Sequence, residues 1–433
     1  MQILKDILSR SLDDLLPLTK LIADINKDEI IDEMDFSLLD QTVNSYYIPE
    51  FFVDCLGRSV DDFSIEEAEA KHLALYLTDE IFPPEDLVEK ISGELSAIRE
   101  IFKILDQPDM ISFAAGSPAP EMFPAKELAE VSQEILLTNG AVALQYGITE
   151  GYAPLKEIVR ERMAQKNIGG QNDELIIVSG AQQGIDLTAK VLLNEGDGVI
   201  CENPSFIGGL NAFRAYNARL YGVNVENDGL NLDELEHTLK ENGNIKLIYT
   251  IATFQNPSGI TMRLDKRRKL LELAEKYDVY ILEDNPYGDL RFKGEDIPTI
   301  KSMDTNNRVI YVGSFSKILS PGLRLGWVVA PEEIIQKIVV VKQVNDVHTN
   351  VFSQMLATEY MKKYSIDEHI EKIRALYGRR CSFMLECMDQ YFPEYCTYTR
   401  PEGGLFIWCT LPEEIDTVEL SKKAVERKVA FVP

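Results

Sequence analysis

The sequence predicts an α/β protein with a mostly parallel central sheet flanked by helices, together with a smaller α+β domain. Three observations support this fold class. The chain of 433 residues is 45% hydrophobic and 27% charged, which is ordinary for a folded protein with a sizeable core. From about residue 174, short β-rich runs alternate with amphipathic helical runs. Residues 1–90 differ in charge from the rest and are predicted to form an acidic helical N-terminal extension.

The extension is predicted from its charge and its helical spacing. Residues 1–85 contain 20 acidic and 6 basic residues, and their net charge of −14 is about half of the total of −27. Apolar residues recur at helical spacing near the start, at Leu4, Ile7, Leu8, Leu12 and Leu15. Pro83-Pro84 is expected to separate the extension from a helix that begins near Glu85.

The alternating runs predict an ordered series of strands and helices. The predicted strands are Leu175–Val178, Gly198–Cys201, Leu220–Val225, Ile245–Thr253, Val279–Glu283, Val309–Ser314 and Leu325–Ala330. Among the helices, one begins near Gln182, one spans Asn231–Asn242 with an asparagine cap, and one spans Leu264–Tyr277. Helix-rich sequence returns over residues 331–391. An open α/β sheet of this kind binds its ligands at the carboxyl ends of the strands.

This organisation predicts four segments. Residues 1–90 form the extension, and residues 91–135 the first part of the small domain. Residues 136–344 form the large domain, and residues 345–433 the second part of the small domain.

Composition and charge exclude several functional classes. A net charge of −27 repels phosphate backbones, so nucleic acid is not an expected partner. The six cysteines form no C-x-x-C pair and the four histidines have no metal-ligand spacing, so no metal site is expected. No apolar run is long enough to span a bilayer, and the N-terminus lacks an apolar signal core. We therefore expect a cytoplasmic protein without a membrane partner.

Four predicted strand ends carry residues suited to chemistry. Val178-Ser-Gly-Ala-Gln-Gln-Gly184 is a glycine-bracketed helix start, which suits an anion. Phe254-Gln-Asn-Pro-Ser-Gly259 follows one predicted strand, and Leu282-Glu-Asp-Asn-Pro-Tyr287 puts a carboxylate and a phenol at the end of another. Gly313-Ser-Phe-Ser-Lys-Ile318 is followed by Pro321-Gly-Leu-Arg-Leu-Gly-Trp327. Each motif alone has a structural explanation as a turn, a helix cap or a solvated lysine, so the indication of a site comes from their joint order.

Together these motifs resemble those of the fold-type I, pyridoxal-phosphate-dependent aminotransferases of class I and II, over about residues 95–433. Ile111-Ser-Phe-Ala-Ala-Gly-Ser-Pro118 and Leu144-Gln-Tyr-Gly147 are similar to stretches of the 2-aminoadipate, aromatic and kynurenine aminotransferases. The resemblance implies the transferase fold of type I and pyridoxal 5'-phosphate as the cofactor. It also implies that an amino group moves from an amino acid to a 2-oxo acid such as 2-oxoglutarate.

The resemblance implies roles for five residues around the cofactor ring. Lys317 would hold the cofactor as a Schiff base and then move the Cα proton of the substrate, and Arg324 would help to lower the pKa of its amine. Asp284 would pair with the pyridinium nitrogen and keep the ring protonated. Asn256 and Tyr287 would hydrogen-bond the ring's 3-oxygen.

A second set of residues would contact the ring face, the phosphate and the substrate. Phe206 matches the position at which the family stacks an aromatic side chain on the ring. The phosphate would be bound by Gly180, Ala181, Gln182, Ser314, Ser316 and Arg324. Ala181 stands where the family commonly has serine or threonine, so it offers only its backbone N–H. The expected substrate-binding residues are Gly116 and Asn256.

Two features concern the neighbouring subunit and the end of the chain. Tyr146 matches a tyrosine that in the family reaches the phosphate from the neighbouring subunit, which implies a homodimer with shared sites. The family continues past the position of Phe431-Val-Pro433 with a final helix and an arginine that binds the substrate α-carboxylate. A fragment, an arginine supplied elsewhere, or a protein without that contact would each explain this difference. We expect a fragment, because the sequence ends in what looks like the beginning of a strand.

Three other functions fit parts of the pattern. Ser314-Phe-Ser-Lys317 is a literal S-x-x-K motif, which in penicillin-binding proteins would make Ser314 a nucleophile. No S-D-N or K-T-G motif accompanies it. A pyridoxal-phosphate-dependent lyase would use the same fold and cofactor. A non-catalytic regulator would resemble the winged-helix regulators that carry an aminotransferase-like domain, although an extension with a net charge of −14 does not suit DNA.

Overall fold

The computed structural model describes residues 109–114 and 116–433. The predicted N-terminal extension at residues 1–90 and the helix expected near Glu85 lie outside the described residues.

The described residues form twelve strands and ten α-helices. In chain order the strands are β1 (Ile111–Ser112), β2 (Asp173–Val178), β3 (Gly198–Asn203), β4 (Arg219–Glu226), β5 (Gly229–Leu230), β6 (Ile245–Thr250), β7 (Tyr280–Asp284), β8 (Val309–Ser314), β9 (Gly326–Pro331), β10 (Thr397–Tyr398), β11 (Cys409–Thr410) and β12 (Val429–Ala430). The α-helices are α1 (Ala125–Ala143), α2 (Ala153–Gln165), α3 (Ala181–Leu192), α4 (Ile207–Arg214), α5 (Leu232–Glu241), α6 (Leu264–Lys276), α7 (Glu332–Asn345), α8 (Val351–Lys363), α9 (Ile366–Tyr391) and α10 (Thr417–Glu426). Short 3-10 helices lie at Pro120–Met122, Gly288–Leu290, Lys301–Met303 and Pro321–Leu323. Within the part of the chain that the structure describes, no helix is both long and apolar enough to cross a membrane.

The chain divides into two compact units. Of the described residues, the first unit comprises 109–113 together with Ala424–Val432, and in it β1 pairs in parallel with β12. The second comprises Ala114–Lys423 and Pro433. The domain boundaries predicted after residues 135 and 344 fall inside the second unit and remain predictions.

An eight-stranded sheet lies at the centre of the second unit, in the order β2-β9-β8-β7-β6-β3-β4-β5. The four inner pairings from β8 to β4 are parallel, whereas β9 is antiparallel to both β2 and β8, and β5 is antiparallel to β4. The prediction of a mostly parallel sheet is therefore confirmed, with antiparallel pairing at its two ends. Because β2 and β8 both run opposite to β9, the carboxyl ends of β2, β6, β7 and β8 lie along the same edge of the sheet.

Both faces of this sheet are buried. Neighbouring residues of one strand point to opposite faces, so Leu282 of β7 joins a buried cluster with Ile185 of α3, while Ile281 joins another with Leu270 of α6. With both faces covered, polar side chains that serve a ligand are expected at the ends of the strands.

Local sequence explains where several elements begin and end. The side chain of Asn231 accepts a hydrogen bond of 2.9 Å from the N–H of Glu234, which confirms the predicted cap of α5. Strand β8 has the predicted bounds. The strand predicted over Ile245–Thr253 is wrong at its end, because β6 stops at Thr250 and the chain then turns, with a φ of +53° at Phe254.

Candidate active site

Lys317 lies just beyond β8 and its amine is mostly buried. Its Nζ donates a hydrogen bond of 2.8 Å to the carbonyl oxygen of Gly116 and lies 5.9 Å from the centre of the Tyr287 ring. Burial, together with the guanidinium of Arg324, lowers the pKa of this amine to about 8. An amine with this pKa is partly neutral near pH 8, which suits attack on an aldehyde.

Asp284 ends β7 and is buried. Its Oδ2 accepts a hydrogen bond of 3.0 Å from the hydroxyl of Tyr249, and its Oδ1 has no hydrogen-bond partner among the described residues. Burial raises the pKa of this carboxyl to about 7, against the lowering effect of the hydrogen bond from Tyr249. A buried carboxylate oxygen without a partner is costly, so this atom indicates a place for a ligand that donates a hydrogen bond. A protonated ring nitrogen is such a donor.

Asn256 and Tyr287 come together although 31 residues separate them in the sequence. The Nδ2 of Asn256 donates a hydrogen bond of 3.4 Å to the hydroxyl oxygen of Tyr287. The Tyr287 ring is buried edge-on against Phe406, with the ring centres 5.6 Å apart. Burial raises the pKa of Tyr287, so its phenol stays protonated at neutral pH and can donate to a ring oxygen.

The turn between β2 and α3 has the features of an anion site. Gly180 caps α3 with a φ of +84°, and a Cβ at this position would collide with the guanidinium of Arg324. The Arg324 side chain also donates a hydrogen bond of 3.4 Å to the carbonyl oxygen of Ser179. The first N–H groups of α3, beginning at Ala181, lack partners within the helix and face the same end as the guanidinium. This combination of backbone donors and a cation suits a phosphate.

The other predicted phosphate and ring residues border this turn. The Oγ of Ser314 accepts a hydrogen bond of 3.0 Å from the N–H of Ser316, so the Ser314 hydroxyl hydrogen remains able to donate. The side chain of Gln182 donates a hydrogen bond of 2.7 Å to the carbonyl oxygen of Gly208, so its backbone N–H is what it offers an anion. The half-buried Phe206 is the residue that precedes α4.

Tyr146 lies on the surface. Its side chain is 82% exposed, and its ring packs edge-on against His348 with the ring centres 5.8 Å apart. This exposure leaves the phenol accessible to another molecule.

Two buried polar residues of this region were not anticipated from the sequence. Tyr249, in the middle of β6, is the hydrogen-bond donor to Asp284. Glu202, near the end of β3, accepts hydrogen bonds from the hydroxyl of Thr250, from the N–H of Ile251 and from the Nε2 of Gln255. Burial raises the pKa of Glu202 to about 7, against the lowering effect of these bonds.

Glu202 connects two of the predicted motifs. The Nε2 of Gln255, which lies beside Asn256, donates at 3.0 Å to Glu202 and at 2.8 Å to the carbonyl oxygen of Pro204. Pro204 lies two residues before Phe206, so this network joins the turn after β6 to the segment after β3. The sequence signal for it was a glutamate near the end of the apolar strand β3.

A separate cleft of about 770 Å³ lies between residues 291–296 and α9. None of the predicted site residues, all of which lie in the described part of the chain, lines this cleft.

Comparison with known proteins identifies the family of this chain. The family described as "Aminotransferase class I and II" matches residues 108–433. The chain therefore belongs to the class I and II aminotransferases, and it is an enzyme that transfers amino groups with pyridoxal phosphate as its cofactor.

Individual relatives and solved structures are similar over most of their length. The chain is 43% identical to aromatic-amino-acid aminotransferase 1 of Thermococcus litoralis over 80% of this chain and 84% of that protein. A kynurenine aminotransferase of Pyrococcus horikoshii, solved in complex with PMP, is 40% identical with a TM-score of 0.78 and covers 83% of this chain and 89% of its own. An alpha-aminoadipate aminotransferase from Thermus thermophilus, complexed with N-(5'-phosphopyridoxyl)-L-leucine, is 39% identical with a TM-score of 0.71 and covers 78% of this chain and 84% of its own.

Proposed function

We propose that this aminotransferase takes its amino group from a large amino acid, either aromatic or 2-aminoadipate, and passes it to a 2-oxo acid such as 2-oxoglutarate. The similarity to aminotransferases named for aromatic amino acids and alpha-aminoadipate supports this substrate class. The residues that carry the reaction are Lys317, Asp284, Tyr287 and Asn256. Gly116 and Asn256 border the substrate in this proposal.

The residues of the candidate site fit the cofactor, and each of them has a distinct task in this proposal. Bound pyridoxal phosphate supplies an electron-withdrawing ring that stabilises negative charge at the substrate Cα. The unpartnered Oδ1 of Asp284 would accept a hydrogen bond from the ring nitrogen, and Tyr287 with Asn256 would donate to the ring oxygen. The amine of Lys317 removes the proton from the substrate Cα and returns it, a task that suits an amine with a pKa of about 8.

The remaining contacts position the cofactor. Ala181 and Gln182 would offer backbone N–H groups to the phosphate. The N–H of Gly180 donates instead to the carbonyl oxygen of Val178, and the missing Cβ of Gly180 leaves room for the guanidinium of Arg324. The side chains that complete the phosphate site are Ser314, Ser316 and Arg324. Phe206 would stack on one face of the ring, and Gln255 fixes the nearby carbonyl of Pro204 in the same segment.

The observation that carries the proposal is the depressed pKa of Lys317 beside the Tyr287–Asn256 pair. Borohydride treatment of the cofactor-loaded protein should remove the visible absorption band and add the cofactor mass to a peptide that contains Lys317. The variant K317A should show no such band, whereas K337A, at an exposed lysine of α7, should retain it. A band that K317A retains would contradict the assignment.

A panel of amino donors with 2-oxoglutarate as acceptor tests the substrate class. We expect phenylalanine, tyrosine, kynurenine or 2-aminoadipate to give glutamate faster than alanine or aspartate. Preference for the small donors would contradict the proposal. Ammonia released without an acceptor would indicate the lyase, which the similarity to aminotransferases does not favour. A tight, specific shift of DNA in a retardation assay would indicate the regulator instead.

We propose further that the enzyme is a cytoplasmic homodimer with shared sites. Exposed apolar side chains concentrate on the segment before and after Tyr146, with Leu137 and Leu144 both 77% exposed and Ile148 61% exposed. Such a patch favours contact with another protein surface. The five described cysteines are free thiols, which suits a reducing compartment. Sedimentation of the purified protein at twice the chain mass is the expected result.

A further inference from the structure

Tyr249 is a fully buried phenol whose orientation is determined by its neighbours. Its ring lies edge-on to Phe213 of α4, with the ring centres 5.3 Å apart. The ring also contacts the backbone of α4 closely, because a Cβ added at Gly209 would lie 2.8 Å from the ring. The ring therefore has no room to swing, and the hydroxyl remains in one place.

The register of the sheet places this hydroxyl beside Asp284. Tyr249 pairs with Leu282 across the parallel strands β6 and β7, and Leu282 and Asp284 share a face because they are two residues apart. The hydroxyl donates at 3.0 Å to Oδ2 of Asp284, while Oδ1 has no partner among the described residues. One carboxylate oxygen is thus occupied by the protein and the other is left for a ligand.

We infer that Tyr249 is a positioning residue for amino transfer: its hydroxyl occupies Oδ2 of Asp284, so that Oδ1 faces the ring nitrogen of the cofactor as an anion. This inference rests on the role proposed above for Asp284. Tyr249 itself does not touch the substrate or the cofactor in this account.

The expected effect has a definite sign. A hydrogen bond from the phenol stabilises the Asp284 carboxylate, and the carboxylate keeps the ring nitrogen protonated. Burial and the Asp284 carboxylate raise the pKa of Tyr249 well above its ordinary value, so the phenol remains a donor throughout the working range of pH. Without the hydroxyl, the proton moves toward Asp284, and the ring withdraws electrons less strongly.

The variant Y249F removes the hydroxyl and keeps the ring that packs on Phe213. We expect it to weaken the binding of pyridoxal phosphate about 5- to 10-fold, the size of the net contribution of one ordinary hydrogen bond. The pKa that the visible absorption band reports should rise, because a less positive ring favours protonation of the linkage to Lys317. Binding of an analogue in which carbon replaces the ring nitrogen should be unchanged.

Tyr311 provides the matched control. It is also a buried tyrosine, on the other neighbour of β7, and its hydroxyl accepts a hydrogen bond of 3.1 Å from Asn285 instead of donating one to Asp284. Y311F should therefore leave both the cofactor affinity and the spectroscopic pKa unchanged. If Y249F folds poorly, 3-fluorotyrosine at position 249 keeps the shape and is a stronger donor, so it should shift the spectroscopic pKa downward.

Three outcomes separate the possibilities. If Y249F weakens the binding of pyridoxal phosphate and of the carbon analogue equally, or leaves the spectroscopic pKa unchanged, Tyr249 has only a structural role and the inference is overturned. If D284N weakens the binding of pyridoxal phosphate more than that of the carbon analogue while Y249F does not, the inference fails and the proposed role of Asp284 stands. If D284N also affects the binding of the two molecules equally, the proposed role of Asp284 fails as well.

Discussion

The Nζ of Lys317 donates its hydrogen bond to the backbone carbonyl of Gly116, a neutral acceptor, and not to a carboxylate. No carboxylate among the described residues counteracts the lowering of its pKa, which burial and then Arg324 produce. A lysine ion-paired with a carboxylate would remain protonated at neutral pH. The neutral acceptor therefore holds the amine in place without raising its pKa.

The first prediction concerns the pH at which the cofactor attaches. Only the neutral amine attacks an aldehyde, so the rate of attachment should rise with pH and level off above about pH 8. Stopped-flow measurement of the visible band gives this rate. R324Q should move the midpoint upward, since it removes a positive charge, and R263Q, at an exposed surface ion pair, should not. A wild-type midpoint near the ordinary lysine pKa of 10.5 would contradict the structure.

The second prediction compares two glycines whose positive φ angles are nearly equal. Gly180 has a φ of +84° and Gly196 a φ of +83°, so an alanine at either position should cost about 1 kcal/mol of folding free energy. Only the Cβ at position 180 would also displace the guanidinium of Arg324, because nothing lies within 4 Å of a Cβ at position 196. G180A should therefore weaken cofactor binding and G196A should not. Titration of the apoprotein with pyridoxal phosphate measures both, and equal affinities would refute the anion-site assignment.

The third prediction concerns the buried Glu202. E202Q should destabilise the fold by about 1–3 kcal/mol, because the new amide group would face the Nε2 of Gln255, which needs an acceptor. Denaturant unfolding at neutral pH measures the loss. E241Q, at an exposed position of α5, should have no comparable effect.

Glu202 should also affect how the stability of the apoprotein depends on pH. Its folded-state pKa of about 7 lies above the ordinary 4.5, so the folded state binds this proton more tightly than the unfolded state. The stabilisation is complete below about pH 4.5 and is lost as the pH rises to about 7. The wild type should therefore lose more stability across this window than E202Q. Parallel pH profiles for the two proteins would show that the Glu202 carboxyl is not perturbed by folding.

The fourth prediction tests whether the sites are shared between subunits. K317A dimers should be inactive, and Y146F dimers should bind the cofactor weakly if Tyr146 serves the neighbouring subunit. Mixing the two should restore activity, because hybrid dimers contain one site with an intact Lys317 and Tyr146 of the partner subunit. Mixtures no more active than the sum of their parents would contradict the shared site, provided that mass spectrometry detects the hybrids.

Much of the fold and several site motifs could be predicted because they depend on local sequence. The apolar run of β8 and the asparagine cap of α5 are local signals, and the structure confirms both. The end of β6 was predicted three residues too late, because the apolar and β-branched residues after Thr250 continue the strand pattern while the backbone turns at Phe254. Strand propensity did not contain the information about that turn.

The sequence by itself determined the protein's class, since the Gly180 turn, Asn256, Asp284 and Lys317 lie in this order at or beyond the ends of successive strands. What only the tertiary structure decided is how their protons and hydrogen bonds are arranged. Tyr249 reaches Asp284 because the register of two strands places them on one face, and Glu202 meets Gln255 across 53 residues of sequence. Burial, which changes the pKa of a group by removing water from around it, arises only when distant segments pack together.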